Sequence, residues 1–323
     1  MKAVVVDEDN GLHWQDFETA VANPDEVLIK VHATAINRAD LMQRQGFYPP
    51  PPGASQIMGL ECAGEIVAIG GNCSRFAVGD RVCALLAGGG YAQYATAHEG
   101  SVLPIPGGLS FAEAASLPEV FATAWLNLFI EAGLQPGEKV ILHAGASGVG
   151  TAAIQLCKSF GSPSFITAGS DDKIDSCIQL GAEAGFNRHQ GSFLDKAKEF
   201  GGESGIDVIL DPVGGAYLKD NLKLLGLNGR LVMIGLMGGS REEIDLAALM
   251  MKRIRVIGST LRTRPVEEKA KVMSQLYERV WPKIEAGEIS ATIDATFPIE
   301  KADEAHELVT SDATLGKVVM SVI

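Results

Sequence analysis

The chain has 323 residues, 46% of them hydrophobic and 21% charged, a length suited to two domains and a composition that excludes general disorder. Its 40 acidic residues outnumber 27 basic ones, for a formal charge of −13. Such a surface repels phosphate backbones, so nucleic acid is excluded as a general partner and an anionic cofactor needs its own local pocket. Residues 1–118 read as β-rich, with apolar runs at 27–31, 65–69 and 81–85 punctuated by glycine and proline. The run Tyr48-Pro49-Pro50-Pro51-Pro52-Gly53 is incompatible with a helix or central strand, because proline lacks an N–H and fixes φ; an ordered loop is expected.

Near Pro118 the pattern changes. Strands are expected at 140–143, 164–168, 207–210, 231–234 and 255–258, with helices between them, as at 149–160 and 172–180. Alternation of this kind means parallel strands with crossover helices, a doubly wound sheet. A long helix is expected over 266–286, a short one over 301–310, and a last strand over 317–322 that returns to the first domain. The expected division is 1–118, 119–260 and 261–323. The five cysteines, Cys62, Cys73, Cys83, Cys157 and Cys177, form no CxxC pair and read as small buried hydrophobes in a reducing compartment. No basic, apolar leader opens the chain and no apolar run suits a membrane span, so a cytoplasmic protein without membrane partners is expected.

The strongest chemical signal is Gly145-Ala146-Ser147-Gly148-Val149-Gly150, preceded by the apolar run 140–142 and followed by a helical pattern. Small residues there let the backbone approach a pyrophosphate, and the helix start offers N–H groups and a positive dipole end. Gly150 allows close packing of helix on strand. Ser147 stands at the middle glycine of the usual fingerprint. At the end of the second strand, where NAD enzymes place a carboxylate for the ribose, the chain reads Gly169-Ser170-Asp171-Asp172-Lys173. Gly169 and Ser170 leave room for a 2′-phosphate, Lys173 supplies charge, and Arg188 after the third strand adds a second cation. Ser170 equally suits a helix cap, with Asp171 and Asp172 complementing the dipole. His143, at the end of the first of these strands, reads as core, and Ser147 lacks the glycine at 149 that a nucleophile elbow needs.

Over essentially its whole length the chain resembles the quinone oxidoreductase and zeta-crystallin branch of the medium-chain dehydrogenase/reductase family. The resemblance rests on 37–46 (NRADLMQRQG), 50–55 (PPPGAS), 148–156 (GVGTAAIQL) and 235–239 (GLMGG). It implies a GroES-like β-rich catalytic domain built from both chain ends and a Rossmann domain between them, with cofactor and substrate sharing the interdomain cleft. It implies NADPH as hydride donor, a quinone or related electrophile as acceptor, and a homodimer paired through the edge strand at 255–261. By position, Asn37, Asp40 and Tyr48 fall on the catalytic cleft. Ser147, Gly148, Val149, Gly169, Ser170 and Lys173 fall on the cofactor turn and 2′-phosphate site. Leu236, Met237 and Gly238 pass the nicotinamide, and Leu261, Arg262 and Thr263 lie beside it. Lys317 falls near a basic cofactor contact. Arg188 replaces the tyrosine of many relatives. Zinc-dependent relatives carry a cysteine and a Gly-His-Glu motif; here those places hold Asn37 and Gly59-Leu60-Glu61, so no metal is expected. Two other activities share this pattern: an alkenal or enone reductase, and a non-enzymatic NADPH-binding protein like the lens crystallins.

Overall fold

A computed structural model describes residues 1–323, which form two compact units: Met1–Ala122 with Leu261–Ile323, and Thr123–Thr260. The first unit is built on a seven-stranded sheet. Its central strand, Glu26–Ala35, pairs antiparallel with Glu61–Ile69 and with Tyr94–His98. Residues 27, 29 and 31 are fully buried while their neighbours are not, the period-two pattern of a strand with one face on the core. Near the chain end, Lys317–Ser321 pairs antiparallel with Glu26–Ala35 and parallel with Ile293–Pro298.

The expected long helix over 266–286 is two helices, Val266–Arg279 and Trp281–Glu285. Pro282 in the first turn of the second has no N–H to continue the first, so the break falls at Val280.

The second unit carries a six-stranded parallel sheet, here β1 (Val140–Leu142), β2 (Ser164–Ala168), β3 (Ala184–Asn187), β4 (Ile206–Asp211), β5 (Leu225–Met233) and β6 (Arg255–Gly258). The spatial order is β3-β2-β1-β4-β5-β6, a doubly wound Rossmann sheet whose order reverses between β1 and β4. β5 begins six residues before the expected start at 231. β3 begins Ala-Gly and carries little β signal of its own; its backbone pairing with β2 creates it. Strands β1 and β2 are buried throughout, as parallel strands covered on both faces must be. No helix is long and apolar enough to cross a membrane.

Candidate functional site

In the second unit, β1 runs into the glycine turn. Ala144 adopts a left-handed φ of 53°, and Gly145 follows against Ile166 of β2 so closely that a Cβ would lie 2.6 Å from the Ile166 Cβ. At Gly150 a Cβ would lie 2.5 Å from the carbonyl oxygens of Ala144 and Gly145. Neither position accepts a side chain without moving backbone. Ser147 caps the helix Gly148–Ser159, its Oγ accepting from Gly150 N at 3.1 Å. Gly148 and Val149 form the first turn, so their N–H groups belong to the helix start, where an anion is favoured. The shape and donors fit a dinucleotide pyrophosphate.

At the end of β2, Ser170 caps the helix Asp171–Leu180, with Lys173 N donating to its Oγ at 3.3 Å. The capping role is therefore real. Asp171 reaches the end of β3: its carboxylate accepts from Asn187 Nδ2 at 3.0 Å and from Gln190 Nε2 at 3.1 Å. Gly169, Ser170 and Lys173 share this corner, and Arg188 begins the short helical turn that follows β3. Beyond β5, Leu236 and Met237 are half exposed. Gly238 packs so tightly on the 212–216 turn that a Cβ would lie 2.7 Å from Val213 Cγ1.

In the first unit, the helix Arg38–Arg44 follows Asn37. Asp40 reaches back to accept from Asn37 N at 2.8 Å, and also accepts from Gly59 N at 3.0 Å and Tyr91 OH at 3.3 Å. It is fully buried, and burial raises its pKa to about 6 against these hydrogen bonds. Beside it lies an ion pair: Lys317 Nζ and Glu61 Oε1 are 2.8 Å apart, with side-chain exposures of 5% and 0%. The three ammonium protons meet three acceptors, Ile36 O at 2.6 Å, Asn37 Oδ1 at 2.7 Å and Glu61 Oε1. Glu61 also accepts from Asn37 Nδ2 at 2.9 Å and, through Oε2, from Glu119 N at 2.9 Å.

This corrects the expectation for Lys317. Its donors are used up inside the unit, which leaves none for a cofactor phosphate. The same cluster answers the question of zinc. At the places of the zinc-dependent relatives' cysteine and histidine stand the amide of Asn37 and the alkyl side chain of Leu60, and the surviving Glu61 carboxylate already neutralises an ammonium; this donor set does not fit a metal ion.

Tyr48 is held from below by Arg262. The guanidinium carbon lies 5.4 Å from the Tyr48 ring centroid, and Nη1 donates to Tyr48 O at 3.3 Å. The remaining arms reach Ala87 O at 2.8 Å and Gln43 Oε1 at 2.7 Å, so Arg262 ties three segments together. Burial raises the Tyr48 pKa, so its hydroxyl keeps its proton at neutral pH. Leu261 is buried and Thr263 exposed. Sequence reasoning missed Glu119. It is half-buried, and burial with the neighbouring Glu61 charge pushes its pKa up to about 8. The available signal was a lone carboxylate after Pro118 at the head of an apolar helix.

The alcohol dehydrogenase GroES-like domain model matches residues 23–107, and the zinc-binding dehydrogenase model matches 148–279. The chain is 33% identical to the rat (Rattus norvegicus) quinone oxidoreductase over 326 aligned positions, covering 99% of this chain and 97% of that one. Among solved structures, Escherichia coli quinone oxidoreductase complexed with NADPH superposes with a TM-score of 0.86 at 25% identity, covering 99% and 98% of the two chains. An NAD-dependent alcohol dehydrogenase superposes with a TM-score of 0.87 at 28% identity over the whole of both chains. The fold, the glycine turn and this full-length likeness together establish that the chain belongs to the quinone oxidoreductase branch of the medium-chain dehydrogenase/reductase family.

Proposed function

We propose that the protein is an NADPH-dependent quinone reductase of the cytoplasm. The observation that carries the reading is the corner at the end of β2, where an NAD enzyme's ribose carboxylate is replaced by Gly169 and Ser170 and the adjacent Asp171 carboxylate is already engaged by Asn187 and Gln190. In this reading Gly145, Ser147, Gly148, Val149 and Gly150 hold the pyrophosphate, while Gly169, Ser170, Lys173 and Arg188 hold the 2′-phosphate. Leu236, Met237 and Gly238 line the nicotinamide end, and in the other unit Leu261, Arg262 and Thr263 are the residues that the family resemblance assigns to the cofactor. Bound NADPH supplies a hydride equivalent. The protein's own task is to orient the acceptor and stabilise the oxyanion that reduction creates. Tyr48 offers an aromatic wall and a hydroxyl that remains protonated to donate to that oxygen. Asn37 offers the acceptor or the ribose a polar group, and the buried Asp40 fixes its backbone.

A homodimer is supported by β6, an edge strand paired only with β5 and carrying half-exposed Val256 beside exposed Leu246, Met250 and Met251. Sedimentation tests that part. The enzymatic reading is tested by Tyr48→Phe and Tyr48→Ala under saturating NADPH. The first should lower quinone turnover several-fold, as for one lost hydrogen bond of about 1 kcal/mol, and the second much more. Wild-type turnover in both would remove Tyr48 from the site.

A further inference from the structure

His143 reads in the sequence as core, and it is buried, 2% exposed, under the carboxyl edge of the Rossmann sheet. It nevertheless belongs to a directed chain of polar groups. Asp211, at the end of β4, accepts from Asn221 Nδ2 at 3.0 Å. A carboxylate only accepts, so the Asn221 amide is oriented with Oδ1 towards His143, where it meets Nε2 at 2.8 Å. Nε2 must then carry the proton. Nδ1 is left as acceptor for the Thr167 hydroxyl at 3.0 Å. Burial lowers the histidine pKa and keeps the ring neutral, the form this polarity requires. Thr167, Asn221 and Asp211 are each 2% exposed or less. Phe193 and Tyr217 pack on the imidazole at centroid distances of 4.9 and 4.7 Å.

Both ends of the chain fasten cofactor-facing backbone. Thr167 O accepts from Gly145 N at 2.9 Å, at the start of the glycine turn. Asp211 Oδ1 accepts from Val213 N at 2.6 Å and Gly214 N at 3.1 Å, which fixes the turn after β4. That turn is zipped to the 235–239 segment. Gly238 N donates to Val213 O at 2.7 Å, Met237 N to Pro212 O at 3.2 Å and Gly215 N to Gly239 O at 2.9 Å. Side chains are excluded from the zipper, since a Cβ on Gly214 would lie 2.9 Å from Gly239 O and one on Gly235 2.8 Å from Pro212 O.

We propose that Thr167, His143, Asn221 and Asp211 form a positioning relay that sets the Leu236–Gly238 segment, and with it the nicotinamide ring, from beneath the sheet. The inference rests on the assignment of that segment to the nicotinamide end. None of the four side chains is asked to touch the reacting atoms. A chain that only stabilised the unit would weaken every part of cofactor binding alike. A positioning relay acts on the nicotinamide half and spares the adenosine half.

The experiment compares wild type with His143→Leu, Asn221→Leu and the nearly isosteric Thr167→Val. Three quantities are read on the whole protein: affinity for 2′,5′-ADP as a probe of the adenosine half, fluorescence of the bound NADPH nicotinamide, and the single-turnover rate of hydride transfer to a quinone. We expect 2′,5′-ADP affinity within about twofold of wild type, shifted nicotinamide emission, and hydride transfer slower by roughly five- to tenfold, the effect of about one hydrogen bond. If a leucine variant does not fold, Thr167→Val decides, because it cuts the chain at its first link and leaves the apolar packing in place. Equal loss of 2′,5′-ADP and NADPH binding overturns the proposal, as does unchanged nicotinamide emission. Should wild type bind NADPH and reduce no quinone, the quinone reading fails, while the probe affinity and nicotinamide emission still decide the relay.

Discussion

The Lys317–Glu61 pair is the sharpest target for perturbation. Lys317→Met keeps most of the side-chain volume and removes the charge. It strands the Glu61 carboxylate, 0% exposed, in a site that water does not reach, and takes donors from Ile36 O and Asn37 Oδ1. Breaking one partner of a buried ion pair costs about 3–5 kcal/mol, because the remaining charge stays desolvated and uncompensated. Glu61→Gln should cost a comparable amount by stranding the ammonium. The double variant removes both charges of the pair and strands neither, so it should be more stable than the two single losses predict, by about 2 kcal/mol or more. Urea unfolding followed by tryptophan fluorescence reads this, because Trp14 and Trp281 lie in the same unit as the pair. A Lys317→Met variant within about 1 kcal/mol of wild type, or strict additivity in the cycle, would refute the argument that the ammonium serves inside the fold.

Four further outcomes follow. Lys173→Ala combined with Arg188→Ala should weaken NADPH binding by on the order of tenfold or more and leave NADH nearly unchanged, because charge-assisted contacts to the 2′-phosphate are lost; equal losses in titrations of both cofactors would sink the assignment. Gly150→Ala, whose Cβ would press on the Ala144 and Gly145 carbonyl oxygens at 2.5 Å, should destabilise by about 1–3 kcal/mol or weaken cofactor binding, whereas Gly107→Ala, with nothing within 4 Å, should do neither. The pKa of Glu119 is raised by burial and by Glu61 from 4.5 to about 8, so the folded state holds a proton that the unfolded chain releases; the resulting stability is complete below 4.5 and is lost as pH rises to about 8. Glu119→Gln should remove that slope and gain roughly 1–2 kcal/mol over wild type at pH 9, allowing for the exposed part of the side chain, with the gain vanishing near pH 4 in a series of melting curves. Activity should survive prolonged chelation, and a full equivalent of tightly bound zinc in the purified protein would contradict the reading of Asn37, Glu61 and Lys317.

What could be read from the sequence divides along physical lines. The glycine turn is legible because its residues are dictated locally: Gly145 and Gly150 leave no room for a Cβ, and neighbouring apolar runs supply strand and helix. The same holds for the capping serine Ser170, whereas the cap at Ser147 emerged only in the structure. The Lys317 cluster was illegible because its partners Ile36 and Asn37 lie 281 and 280 positions away, and they and Glu61 meet it only when the last strand closes on the first sheet. Nothing near residue 317 announces a carboxylate at 61. Arg262 resembles a cofactor contact by position, yet its hold on Tyr48, Ala87 and Gln43 depends on the return of the chain to the first unit at Leu261. The polarity of the His143 chain needed the relative placement of β1, β2, β4 and the helix Gly215–Leu224, which no local pattern encodes. The split of the 266–286 helix, by contrast, was written in Pro282.

One measurement bears most directly on the central claim: steady-state oxidation of NADPH and NADH with a quinone, an alkenal or no acceptor. We predict rapid quinone-dependent oxidation, with kcat/KM for NADPH at least about tenfold above that for NADH, as one charge-assisted contact of about 1.5 kcal/mol or more would give. Oxidation supported only by the alkenal, a preference for NADH, or tight NADPH binding without turnover on either acceptor would contradict it.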